Sequence, residues 1–360
     1  MATPLDDLLS RAVESQASDI HLKVGSPPTI RIGGELRRMQ DLPSLTPDDT
    51  AAYAEHLCGP SASARFEETG EADFAFGRHD LGRFRVSVFR QRGSVSLVLR
   101  RVEPGVPSLD RIGLPPITRR LASEARGLLL VTGPAGSGRT TSVASIVEEI
   151  NSTKPVSIVT VEDPIEFLFP DKMAVVVQRE VGVDTPTFSH AMRRAMRQDA
   201  DVIMVSEISD TETAVSALAA AETGHFVVGA MHTSDPAETV ERFVGLFPAA
   251  ERATARSLMA GHLRGVISQR LVETADGGHR VLAAEVLTSA GRVPELIRGG
   301  AEKDAYIEVI KESEFFGMQT FDHALLGLVK QGRVEVQAAL PFVRNGHEFR
   351  AKAMEAGIEA

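Results

Sequence analysis

The run Gly133-Pro134-Ala135-Gly136-Ser137-Gly138-Arg139-Thr140-Thr141 constrains this chain more than any other stretch. It follows the apolar segment Leu128 to Val131 and precedes Val143, Ile146, Val147 and Ile150, which recur on one helical face. Strand, glycine loop and helix in that order read as a phosphate-binding loop. Glycines let backbone N–H groups turn inward around a phosphate. The N-terminus of the following helix adds partial positive charge. The Thr140 hydroxyl falls where Mg²⁺ is ordinarily ligated. The competing reading is a glycine-rich turn ahead of a helix, and the flanking elements favour nucleotide binding over it. One position departs from G-x-x-x-x-G-K-[ST]: Arg139 stands where lysine is expected. A guanidinium is wider than an ammonium and donates in a planar fork. Phosphoryl transfer depends on positioning and electrostatics, so the arginine is expected to slow turnover more than it weakens binding.

An α/β architecture surrounds that loop. Gly127 to Thr132, Val156 to Val161, Asp201 to Val205 and Phe226 to Met231 are near-continuous apolar runs separated by helical stretches. Strands buried on both faces of a parallel sheet have this pattern. Residues 1–103 follow another grammar. Leu5, Leu8, Leu9 and Val13 have helical spacing, whereas Asp19 to Val24, Thr29 to Ile32, Arg83 to Arg90 and Ser94 to Arg100 alternate like half-buried strands. Gly33-Gly34 reads as a hairpin turn. A small α+β domain with an antiparallel sheet is therefore expected at 1–103. A Pro- and Gly-rich linker follows at Glu103 to Ser108. The expected nucleotide-binding domain covers 104–275, and a mainly helical region covers 276–360. From about residue 250 the pattern turns helical, with one strand candidate at Arg280 to Leu287, and the last dozen residues are weakly patterned.

Composition removes several functions. Lys and Arg number 39 against 49 Asp and Glu, a net charge of −10. Nucleic-acid binding needs clustered positive charge, so no such partner is expected. The arginines 193, 194 and 197 are the one counter-signal, and they read as a solvated or subunit-facing stripe. A single cysteine, Cys58, excludes an internal disulfide and a CxxC zinc site. No apolar run nears the roughly 20 residues that span a bilayer. The first seven residues lack a basic start and an apolar core, so the expected location is the cytoplasm.

Three strand ends carry groups suited to chemistry. Ligands of parallel α/β sheets sit at the carboxyl ends of strands. Glu162, after Val159-Thr-Val, is placed to orient or deprotonate a water attacking a γ-phosphate. Glu207, after Asp201-Val-Ile-Met-Val-Ser, is a candidate to hold Mg²⁺ directly or through water. His232 ends the run from Phe226 and is suited to sensing phosphate charge. Acids at strand ends also serve as turn residues or helix caps, and a lone histidine there is also a structural residue.

Nearly the whole chain resembles the type IV pilus retraction ATPases, the PilT/PilU group of the secretion-ATPase superfamily. The resemblance rests on Ala17 to Pro28, Gly82 to Arg92, Thr160 to Phe167, Gln178 to Thr185, Ala221 to Thr233, Val266 to Leu271 and Gly317 to Asp322. It implies a PAS-like N-terminal domain, a RecA-like P-loop ATPase domain and a helical C-terminal region. It also implies a hexameric ring, homomeric or mixed with a paralogous motor, with ATP and Mg²⁺ held between the two domains. Such a ring would act on an inner-membrane pilus platform protein from the cytoplasmic face, driving retraction and twitching motility. By the same resemblance Glu162 is the catalytic base, Glu207 the Walker B acid, His225 and His232 are His-box residues, and Arg83 and Arg85 reach phosphate. Three stretches depart from the family. Arg139 replaces lysine, Ser206-Glu-Ile-Ser-Asp210 replaces G-E-M-R-D, and Arg292 to Arg298 keeps only part of A-I-R-N-L-I-R-E. These changes keep open a second function, a weakly hydrolysing paralogue that regulates or co-assembles with an intact motor.

Overall fold

The computed structural model describes residues 4–78, 80–102 and 105–358. The first three residues, and Glu103 and Pro104 of the expected linker, lie outside them. The chain forms two compact units, one reaching to Gly105 and including Pro164–Leu168, the other made of Val106–Asp163 and the chain from Phe169 onward.

The first unit is an antiparallel sheet of β1 (Asp19–Lys23), β2 (Thr29–Ile32), β3 (Glu35–Arg38), β4 (Glu71–Arg78), β5 (Gly82–Gln91) and β6 (Ser94–Arg101). Its spatial order is β3-β2-β1-β6-β5-β4. Gly33 and Gly34 turn β2 into β3 with φ of 59° and 87°, as the hairpin reading requires. Leu5, Leu8 and Leu9 of the helix Leu5–Glu14 are buried together with Phe84, Val86 and Val88 of β5. Alternation along β5 places Arg83 and Arg85 on the opposite face from that core.

The second unit contains β7 (Gly127–Thr132), β8 (Ser157–Glu162), β9 (Val175–Glu180), β10 (Val202–Val205), β11 (Phe226–Met231), β12 (Leu263–Glu273) and β13 (Arg280–Thr288). They lie in the order β13-β12-β7-β11-β10-β8-β9. All neighbouring pairs are parallel except β12 with β13. One neighbour, β12 or β11, pairs with each edge of β7, and Leu128 to Val131 are fully buried, so that run carries no polar face. The helix Arg139–Thr153 buries Val143, Ile146, Val147 and Ile150, the face its spacing predicts. Each such side chain contributes about 1.5–3 kcal/mol on burial. In the alanine-rich helix Thr211–Glu222, Ala214, Ala217, Ala220 and Ala221 are all fully buried.

Two elements correct the sequence reading. Leu263–Glu273 is a long strand, where the pattern past residue 250 predicts helix. The residues near the C-terminus, weakly patterned in sequence, form the helix Gly346–Glu355, anchored by Phe349 and Ala353. Asp276 lies in the turn between β12 and β13, and β13 pairs with β12 from Glu273–Arg280 to Gly265–Thr288. The sheet therefore continues past residue 275.

A buried ion pair fastens β13 to the C-terminal helices. Glu285 is 1% exposed and takes both its oxygens to Arg344, at 2.6 and 2.8 Å, while the Phe321 N–H donates to it at 3.2 Å. Burial pushes the Glu285 carboxyl up, against the pull of Arg344. Removing the arginine leaves a carboxylate in the core with no counter-charge. Arg344→Ala is expected to cost about 3–5 kcal/mol, read as a lowered urea midpoint. A loss under about 1 kcal/mol would show the pair to be dispensable.

Candidate nucleotide site

The site forms because β7, β11, β10 and β8 end side by side. Register puts Thr132 level with Met231, and Val205 level with both Gly229 and Val161. The segments carrying the glycine loop, His232, Glu207 and Glu162 therefore leave the same carboxyl edge.

Gly133 is required where it stands. A Cβ there would lie 2.5 Å from the Gln269 carbonyl oxygen and 2.4 Å from Ser137 Oγ. Beneath the loop, the fully buried Gln269 of β12 donates from Nε2 to the Ser137 carbonyl at 2.7 Å. The loop is thus held from below by its neighbouring strand. Among the described residues, the backbone N–H groups of Gly136, Gly138, Arg139 and Thr140 donate to no backbone carbonyl. Ser137 Oγ is buried without a hydrogen-bond partner. Orphan backbone donors at a helix N-terminus, beside a buried hydroxyl with no partner, suit a phosphate. Gly133→Ala is expected to weaken nucleotide binding at least tenfold, measured by calorimetry. An unchanged Kd would show that the loop is not the binding element.

Arg139 opens the helix Arg139–Thr153 and turns back over the loop. Its Nη1 donates to the Gly133 carbonyl at 2.6 Å and to the Met231 carbonyl at 2.9 Å. Its Nη2 lies 2.9 Å from His232 Nε2. Arginine only donates, so Nε2 is the acceptor and His232 is neutral with its proton on Nδ1. Burial, and then the Arg139 charge, hold His232 below its ordinary 6.5, against Glu207 at 3.9 Å. The Arg139–His232 contact is therefore complete above pH about 6.5 and is lost as pH falls through the lowered value. Burial also lowers Arg139 itself, opposed by Glu207.

Glu162 ends β8 with 3% exposure. One of its oxygens, Oε1, accepts from Thr160 Oγ1 at 2.6 Å and from Gln178 Nε2 at 3.0 Å. The departures in the next strand also acquire a geometry. Ser206 Oγ accepts the Asp163 N–H at 3.3 Å, and Asp210 caps the helix Thr211–Glu222 through the Thr213 N–H at 2.7 Å.

The structure gathers residues 133–141, Glu207 and His232, with Glu162 at a strand end of the same edge. It places Arg83 and Arg85 in the other unit, on β5. His225 precedes β11 and bonds locally to Thr223 and the Ala220 carbonyl, about 20 Å along the strand from His232. It does not join the site. Sequence reasoning gave no role to Gln269, Thr160 or Gln178. Thr160 shares a face with Glu162 by strand periodicity, which is the one signal available for it.

A glycine loop between a buried strand and a helix, with acids on neighbouring strand ends, defines a P-loop nucleotide-binding protein. The sequence model for the type II/IV secretion system protein family matches residues 1–293. The type IV pilus retraction ATPase PilT of Pseudomonas aeruginosa is 40% identical over 335 residues, covering 93% of this chain and 96% of the relative. The type IV pilus ATPase PilU of the same organism is 35% identical over 345 residues, covering 96% and 90%. A crystal structure of the pilus retraction motor PilT with bound ADP superposes with a TM-score of 0.87 at 41% identity, covering 95% of this chain and 97% of that one. The chain belongs to the type II/IV secretion system protein family, within its group of type IV pilus retraction and twitching-motility ATPases.

Proposed function

We propose that this chain is an ATP-hydrolysing motor subunit of a type IV pilus machine, powering pilus retraction and twitching motility. The observation that carries the reading is the shared carboxyl edge of the glycine loop and the strand ends bearing Glu162, Glu207 and His232, in a chain similar to PilT over nearly its whole length. The loop N–H groups and Arg139 bind the phosphates. Glu162 takes a proton from the water that attacks the γ-phosphorus, and ADP leaves with its oxygen charge met by the loop. Thr140 and Glu207 supply a hydroxyl and a carboxylate, hard oxygen donors suited to Mg²⁺, which would neutralise phosphate charge there. The roles of Arg83 and Arg85 as phosphate contacts rest on family resemblance alone. We place the subunit in a six-membered ring, homomeric or mixed with a paralogue. The ring would work at the cytoplasmic face against a platform protein of the inner membrane. No helix among the described residues is long and apolar enough to cross a membrane.

Arg139 favours a second reading. Its guanidinium is already docked on two carbonyls and a histidine, so the position that usually serves phosphate is tied to the protein. A subunit built this way binds nucleotide but turns over slowly, and regulates an intact partner motor. Steady-state turnover of the full chain beside a Glu207→Ala control, together with native mass measurement, separates the readings. Robust, Glu207-dependent hydrolysis by a ring of this chain alone supports the motor. Turnover no higher than the control in assembled rings overturns it.

A further inference from the structure

The carboxylate at the end of β8 is supported from its own strand and from the neighbouring one. Gln178 stands on β9, the edge strand, at the position registered with Thr160 of β8. Its Oε1 accepts the Phe169 N–H at 3.0 Å. A backbone N–H only donates, so this bond fixes which end of the amide faces which way. The NH₂ end must then face β8, where Nε2 meets Glu162 Oε1 at 3.0 Å. Thr160 Oγ1 donates to the same oxygen at 2.6 Å. Two donors converge on one oxygen from two strands. Hydrogen bonds donated to a carboxylate oxygen are stronger when the group is charged, so two donors on Oε1 favour the ionised form.

We propose that Gln178 is a positioning residue for hydrolysis: clamped by the Phe169 N–H, it orients Glu162 and holds it ionised as the acceptor of the water proton. This rests on the reading of Glu162 as the base. The chemistry follows from what a general base requires, which is the deprotonated form in one fixed direction at working pH. Hydrogen bonds donated to a carboxylate favour that form. Gln178 touches neither nucleotide nor water in this account, so its effect falls on kcat and leaves nucleotide affinity alone.

Three variants of the full-length protein in assembled form test this: Gln178→Met, Gln178→Glu and Glu162→Gln, with the Gln178→Met/Glu162→Gln double. Gln178→Met keeps length and removes both bonds. We expect kcat to fall about tenfold or more, with KM and ADP affinity within twofold of wild type, and no further fall in the Glu162→Gln background. Gln178→Glu keeps the Phe169 bond but sets a second carboxylate beside Glu162. Like charge raises a carboxyl pKa, so the acid limb of the kcat–pH profile should move about one unit upward. If Gln178→Met loses the fold, the Gln178→Glu profile decides alone. An unmoved acid limb, or equal losses from Gln178→Met with and without Glu162, overturns the clamp while leaving Glu162 as base. Wild-type kcat in Glu162→Gln overturns the base reading, and the clamp with it.

Discussion

Glu162→Gln is expected to lower kcat by about 10²–10⁴-fold, the usual contribution of a general base, while the Kd for ADP stays within about threefold. Thr160 Oγ1 and Gln178 Nε2 converge on a single oxygen of the Glu162 side chain. The amide carbonyl of glutamine accepts both, so neither donor is orphaned at a site only 3% exposed. What disappears is the ability to take a proton. Single-turnover hydrolysis on assembled protein separates chemistry from product release. A kcat within threefold of wild type would remove Glu162 from the proton path.

Arg139→Lys carries the second large effect, in the opposite direction. The arginine at the head of the helix Arg139–Thr153 is engaged three times, with the carbonyls of Gly133 and Met231 and with Nε2 of His232. To follow a phosphate as charge develops, it must leave these three acceptors. A lysine has a compact ammonium on a flexible stem, with no planar fork. It is free to follow the transferring group, and transition-state charge is where such a cation acts most strongly. The lysine variant is expected to raise kcat about tenfold or more with little change in nucleotide Kd. Equal turnover within threefold would mean that the docked guanidinium is not a brake, and the regulatory-paralogue reading would lose its main support.

These two residues also show where sequence sufficed. The phosphate loop was legible because its glycines, its preceding apolar run and its following helix all point to one local structure. Glu162, Glu207 and His232 were legible because buried parallel strands read as apolar runs, so their ends are easy to find. The support beneath them was not. Gln269 acts from β12, whose residues are buried on both faces and follow a helix directly, so periodicity alone does not distinguish strand from helix there. Gln178 acts from β9, an edge strand whose Val175 and Val177 are exposed, giving no clean alternation of apolar and polar positions. A side chain's partners on a neighbouring strand depend on register, and register between strands far apart in sequence is a tertiary property. His225 is the converse case. It is grouped with His232 by motif, but the full length of β11 separates them.

Calorimetric titration of ADP and of ATP, with magnesium, into assembled full-length protein bears most directly on the central claim that residues 133–141 enclose a nucleotide's phosphates. The account predicts saturable uptake with a Kd well below about 1 mM, more than about 4 kcal/mol of binding, sharply weakened in Gly133→Ala. The absence of any binding heat at millimolar nucleotide from rings of the wild-type chain would contradict it.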